Sequence, residues 1–219
     1  MRSGWFFGTE MWAEYLASYS TNHPECLSEW KSSPLANDHD FSDVPDGYEM
    51  VTRQTQVIDL SYPLPTLWQG VRKSYHSIIH RANEQYEILE DATIMPFRLL
   101  HHETFGNVRT EQTFIEQGKW LSAGYGLSVS VQSSQHTVVA AAYWIIYQGC
   151  SYYASGPSIE KNIQHAVIWK SLELLKARGV QFVDIGQIDG ETEKERAISF
   201  FKTGFGGFAK PFSIVRVIQ

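Results

Sequence analysis

Residues 152–186 read YYASGPSIEKNIQHAVIWKSLELLKARGVQFVDIG, and the changes of period inside this stretch decide the fold. Tyr152, Tyr153 and Ala154 close a run rich in β-branched and aromatic residues, which predicts a strand. Ser155-Gly156-Pro157 ends it. Apolar residues then recur at spacings of three and four, at Ile163, Val167, Ile168, Leu172 and Leu175, predicting a helix over 162–178. That helix carries Lys176 and Arg178 in its last turn and stops at Gly179. Residues 180–185, VQFVDI, follow as a short, mostly apolar strand with Asp184 near its exit. A strand, a crossover helix and a second strand make two parallel neighbours. Such a unit takes its ligand beyond the carboxyl ends of the strands, here near Ser155-Gly156 and near residues 184–187.

Upstream, residues 127–131, 137–147 and 151–154 are separated by Gln132-Ser133-Ser134 and Gln148-Gly149, which predicts an antiparallel meander. Helices are expected over 96–105 and 110–121, and a strand over 55–60. One long helix is expected over 63–82, with Leu67, Val71, Tyr75, Ile78, Ile79 and Ala82 on its apolar side. Its opposite side carries Arg72, His76 and His80, with Lys73 and Arg81 beside them. This basic stripe reads either as a solvated face or as the anchor of an anionic ligand. Downstream, Thr192-x-x-Glu195 is a capping box opening a helix that closes at Gly204, and a last strand spans 212–218. The fold class is α/β (α+β), a central mixed, largely antiparallel sheet flanked by helices.

The 219 residues suffice for one large domain with a sizeable core. Apolar residues make up 43% and charged residues 19%, which excludes a disordered or collagen-like chain. Eighteen basic against 24 acidic side chains leave a net charge of −6, against tight, sequence-blind binding to nucleic acid. Five of those acids, Asp38, Asp40, Asp43, Asp46 and Glu49, lie in residues 32–52, which hold no Lys or Arg. That segment reads as a turn-rich connector. Residues 1–54 are thus expected to be an N-terminal appendage, with a short helix around 11–19, and residues 55–219 the main domain. Cys26 and Cys150 fit free thiols, and the first residues are broken by Gly4, Gly8 and Glu10 rather than forming a leader. With no apolar run long enough to span a bilayer, the chain reads as cytoplasmic.

Three segments carry a resemblance. VIDLSYPLPTLWQGVRKSYHSIIHRA (57–82), the stretch 152–186 and FFKTGFGG (200–207) resemble, in order and distance, the Fem-type branch of the GNAT acyltransferase fold. The third is the most specific. The resemblance implies a single GNAT-like domain in which two adjacent parallel strands splay around the acyl arm of the donor. It implies an N-acyltransferase, such as an N-acetyltransferase, acting on an amine of a small metabolite or amino sugar. The donor is expected to be acyl-CoA, the alternative being aminoacyl-tRNA as in FemAB-like enzymes; a non-catalytic binding module of the same fold is a third reading. Coenzyme A-using members open the crossover helix on a glycine-containing loop, and here Gln164 stands in the place of that glycine.

Acyl transfer to an amine needs cations or N–H groups aimed at the developing oxyanion and a route for the amine proton. Lys202, at the place of the family's lysine in FFKTGFGG, is the expected charge stabiliser, although a helix dipole alone favours a lysine there. Asp184 either takes the proton or orients the acceptor, or else caps the next turn or pairs with a cation. Phe201 could border the acceptor; Tyr153, Ser155 and Gln187 are expected to line the crevice, where Tyr153 could protonate a leaving group, although in so aromatic a chain such a tyrosine is more often core. Arg72, Lys73, His76 and Arg81 could hold an anionic part of either substrate. Adjacent His101 and His102 point about 100° apart on a helix and complete no metal site. His165 fits a base or a structural histidine.

Overall fold

The computed structural model describes residues 2–5, 27–31 and 48–217. The strands among them are β1 (Arg2–Trp5), β2 (Leu27–Lys31), β3 (Tyr48–Asp59), β4 (Glu87–Glu90), β5 (Gly126–Gln132), β6 (Val138–Tyr147), β7 (Cys150–Ser155), β8 (Phe182–Gln187) and β9 (Phe208–Val217). The helices are α1 (Leu64–Gly70), α2 (Lys73–Gln85), α3 (Met95–Phe105), α4 (Glu111–Ser122), α5 (Gln164–Ala177) and α6 (Glu193–Thr203). All nine strands join one sheet in the order β1-β2-β9-β3-β8-β7-β6-β5-β4. Its pairs are antiparallel except β1–β2 and β7–β8. The expected α/β class and mixed, largely antiparallel sheet are present.

Period-two alternation sends the two faces of this sheet to different partners. On one face Leu127, Val129, Val131, Ala140, Ala142, Trp144, Val183 and Ile185 pack against α2 and α5 through Tyr75, Ile79, Val167, Ile168, Leu172 and Leu175. On the other, Ala141 and Tyr143 meet Phe97, Leu100 and Phe114 of α3 and α4. The first cluster is the larger, and fully burying one such aliphatic side chain contributes about 1.5–3 kcal/mol.

Several expectations shift in detail. The helix expected over 63–82 is two: Val71 and Arg72 are extended, with ψ of 136° and 130°. The break has a physical cause in the end of α6, because the Arg72 amide donates to Gly204 O at 2.7 Å instead of continuing the helical ladder. Strand β3 begins at Tyr48, inside the stretch expected to be connector, and β9 begins at Phe208 although it contains Pro211. Beside Pro211 only β3 pairs with β9, since β2 reaches it at Ile214, Val215 and Arg216, so the missing N–H costs no ladder bond on that side. Strand β4, four residues flanked by glutamates, went unseen in the sequence. Residues 32–47 of the expected connector and the helix expected around 11–19 lie outside the described residues.

Candidate active site where two parallel strands part

Strands β7 and β8 pair only at Cys150↔Phe182, Ser151↔Val183 and Tyr152↔Asp184. Beyond that rung each keeps its outer neighbour: Tyr153 and Ser155 stay opposite Trp144 and Tyr143 in β6, and Gln187 stays opposite Thr55 in β3. The backbone between β7 and β8 therefore opens into a cleft at their carboxyl ends.

Asp184 sits on the last shared rung, 3% exposed. Its Oδ1 accepts from Thr55 Oγ1 at 2.5 Å and from the Gly186 amide at 2.7 Å. Burial pushes its carboxyl up to about 6, even though both hydrogen bonds and the Lys202 charge pull the other way. Lys202 reaches the cleft from the last turn of α6, and its Nζ donates to Gln187 O at 3.1 Å. Gly186 makes that approach possible in two ways. Its φ of +91° suits glycine, and a Cβ there would lie 2.7 Å from Lys202 Nζ. The same Cβ would lie 3.9 Å from the Tyr152 hydroxyl, so Lys202, Gly186 and Tyr152 converge. Tyr152 is buried and its phenol is pushed well up, by burial first and by the Asp184 charge second, while Arg109 opposes both.

Of its two readings, crevice and core, Tyr153 takes the core one. Alternation turns it to the α5 face, where its ring packs on Trp144 at 4.9 Å and its hydroxyl accepts from Gln164 Nε2 at 3.0 Å. Gln164 also donates to Ala141 O at 3.1 Å. The side chain standing in place of a loop glycine is thus turned into the protein, and no side chain caps the start of α5. Phe201, one residue before Lys202, packs with Tyr75, His165 and Phe205. Ser155 and Gln187 end their strands at the cleft, both half-buried.

The basic stripe is not gathered at one point. Arg72 lies over the Phe200 ring at 3.7 Å and donates to Tyr75 Oη and Phe200 O, tying the α1–α2 break to α6. His76 stacks on Trp68 at 4.2 Å, and Lys73 and Arg81 are exposed. His165 is buried against Tyr75, with Nδ1 2.8 Å from Asn162 O, and burial lowers its pKa. The glycines of FFKTGFGG serve packing: a Cβ at Gly204 would lie 2.2 Å from the Tyr75 ring, and one at Gly207 would lie 2.1 Å from Val57 O. Among the described residues no group of three or more His, Cys, Asp or Glu could hold a metal ion. None of the described helices is long and apolar enough to cross a membrane.

Thr55, Tyr152, Gly186 and Arg109 were not singled out in the sequence. Tyr152 is adjacent to a core tyrosine on the same strand, and which of the two faces the core is set by the pairing with β6. Thr55 depends on a pairing across 129 residues, which local pattern does not carry.

No protein-family model and no curated protein matches the sequence. Solved structures do match. FemX superposes with a TM-score of 0.61 at 11% identity, covering 93% of this chain and 76% of that one. L-PGS from Bacillus licheniformis gives 0.59 at 13%, over 93% and 71%. A GCN5-related N-acetyltransferase from Kribbella flavida gives 0.50 at 12%, over 99% and 78%. With the parted parallel strands and the order of elements, these likenesses show that the chain carries the GNAT fold, in an arrangement it shares with FemX and L-PGS.

Proposed function

We propose that this protein is an N-acyltransferase that moves an acyl group from acyl-CoA to the amine of a small molecule in the cleft between β7 and β8. The observation that carries this reading is the meeting, at one cleft, of a carboxyl raised to about 6 and a lysine ammonium held over a glycine backbone. Asp184, ionised at neutral pH, takes the proton that the attacking amine loses as the new N–C bond forms. Lys202 Nζ faces the negative charge that develops on the carbonyl oxygen as the tetrahedral intermediate forms and then expels the thiolate. Ser155 and Gln187 border the acyl arm, and Phe201 fixes the helix that delivers Lys202. The open start of α5 supports coenzyme A as donor, because N–H groups and the positive helix end receive a pyrophosphate. Of the basic stripe, Lys73 and Arg81 are exposed and are the residues we assign to a distant phosphate.

Aminoacyl-tRNA is the second donor, favoured by the likeness to FemX and opposed by the net charge of −6. Transfer assays with acetyl-CoA and with charged tRNA, against amino sugars and amino acids, separate the two. Acetylated amine from acetyl-CoA, lost in Lys202→Ala, is the expected result. Product from charged tRNA alone would replace the donor. Binding of either donor without any product would leave a ligand-binding module on the same fold.

A further inference from the structure

The loop between α3 and α4 places a cation at the parted end of β7. Arg109 Nη2 donates to Ala154 O at 3.2 Å, its one hydrogen bond among the described residues. No carboxylate among them comes within ion-pair distance of it. The Arg109 side chain is half-buried, burial lowers its pKa, and the other charge-bearing group it feels is the Tyr152 phenol. Tyr152 pairs with Asp184 on the last shared rung and stands two residues before Ala154, whose carbonyl Arg109 reaches, and it feels the charges of both. Four of its N–H groups have no acceptor among the described residues, and none of its nitrogens is buried without a partner, so those groups are open to solvent or to a ligand. Next to it, His101 is 2% exposed, ringed by Phe97, Phe105 and Phe114, and its Nδ1 has no partner among the described residues. Burial and the Arg109 charge hold that imidazole neutral, with a pKa pushed down to about 4, so Arg109 is the cation of this corner at neutral pH.

We propose that Arg109 forms an anion subsite that takes an oxyanion group, carboxylate or phosphate, carried by the amine acceptor. The proposal rests on the amine-acylation reading and narrows it: the acceptor is an amino acid or an amino-sugar phosphate rather than a neutral amine. The planar fork suits either oxyanion, and the amine of the same molecule is left to face Asp184.

The test is calorimetric titration of the full chain, without donor, using two pairs of ligands: glucosamine 6-phosphate against glucosamine, and alanine against alaninamide. One anionic member is expected to bind about tenfold or more tightly than its neutral partner, and the pair that shows this names the oxyanion. Arg109→Gln is expected to abolish the preference with the thermal midpoint measured alongside; should it unfold, Arg109→Met, which keeps the buried stem, decides in its place. Equal affinity within both pairs, absence of binding by all four, or a preference unchanged in the folded variant would overturn the subsite. Acetyl transfer with no anion preference sinks the subsite and spares the acylation reading, whereas an anion preference without transfer does the reverse.

Discussion

The two faces of the sheet are built from the same strands and differ in kind. Toward α5, β5 presents Leu127, Val129 and Val131, β8 presents Val183 and Ile185, and Tyr153 finds its hydroxyl partner in Gln164. Toward α3 and α4, the alternate positions are Ser128, Ser130, Tyr152 and Asp184, with Thr55 and Asp91 among them, all buried. There Asp91 takes Ser128 and Ser130 as donors at 2.7 and 2.6 Å, and Asp184 takes Thr55. One face is a core. The other adds to the smaller apolar cluster of Phe97, Leu100, Phe114, Ala141 and Tyr143 a set of polar groups that each need a partner, and at the cleft Asp184 feels the Lys202 charge. On the proposed function the second face carries the chemistry and the first the stability, and substitutions that act on one face alone test that division.

Lys202→Ala is expected to have the largest effect, lowering kcat by about 10²–10³-fold, the range for loss of one charge or donor at an oxyanion. The thermal midpoint should change little, because the side chain is half-buried and ends at a carbonyl. Undiminished turnover would remove chemistry from the polar face.

Asp184 comes next. Its raised pKa means that folding favours the protonated form, so its stabilising contribution is complete below 3.8 and is lost as pH rises through about 6. Turnover should run the other way, rising with pH as the carboxylate forms. Asp184→Asn keeps an acceptor for Thr55 and Gly186; it is expected to exceed wild type by up to about 3 kcal/mol at pH 8, nearly nothing at pH 4, and to lose the acid limb of the rate profile. Denaturant melts at the two pH values and a pH–rate series check this.

Gly186→Ala puts a methyl group against Lys202 Nζ and a side chain at a φ of +91°, for an expected loss of about 1–3 kcal/mol together with reduced kcat. The smallest effect separates the faces most cleanly. Tyr153→Phe should cost about 1 kcal/mol, the loss of one buried hydrogen bond, and leave turnover unchanged. Tyr152→Phe should change turnover instead. If both tyrosines behave alike, the division between the faces fails.

Much of this was legible in residues 152–186, because a strand, a 3.6-period helix and a second strand leave few topologies, and the cleft appears where that unit predicts. The capping box at Thr192 and Glu195 is likewise where its spacing put it. The break at Val71 and Arg72 was not legible: its cause, the Gly204 carbonyl, lies 132 residues away. Nor could a pair of adjacent tyrosines declare which faces the core, since parity is set by the β6 register, which shifts between Tyr143 and Trp144. Lys202 and Asp184 were singled out from motif and strand exit, whereas their neighbours Thr55, Gly186 and Tyr152 depend on strand pairing. The glycines of FFKTGFGG were visible as a turn, but their close contacts with Tyr75 and Val57 belong to packing alone.

The central claim is that acyl-CoA binds where β7 and β8 part, and amide chemical-shift mapping of the 15N-labelled chain with acetyl-CoA tests it most directly. The account predicts saturable shifts at residues 153–156 and 185–187 and at the start of α5, 164–166. Shifts confined elsewhere, as at the groove of about 240 Å³ lined by Asn83, Trp169 and Glu173, or no shifts at all, would contradict it.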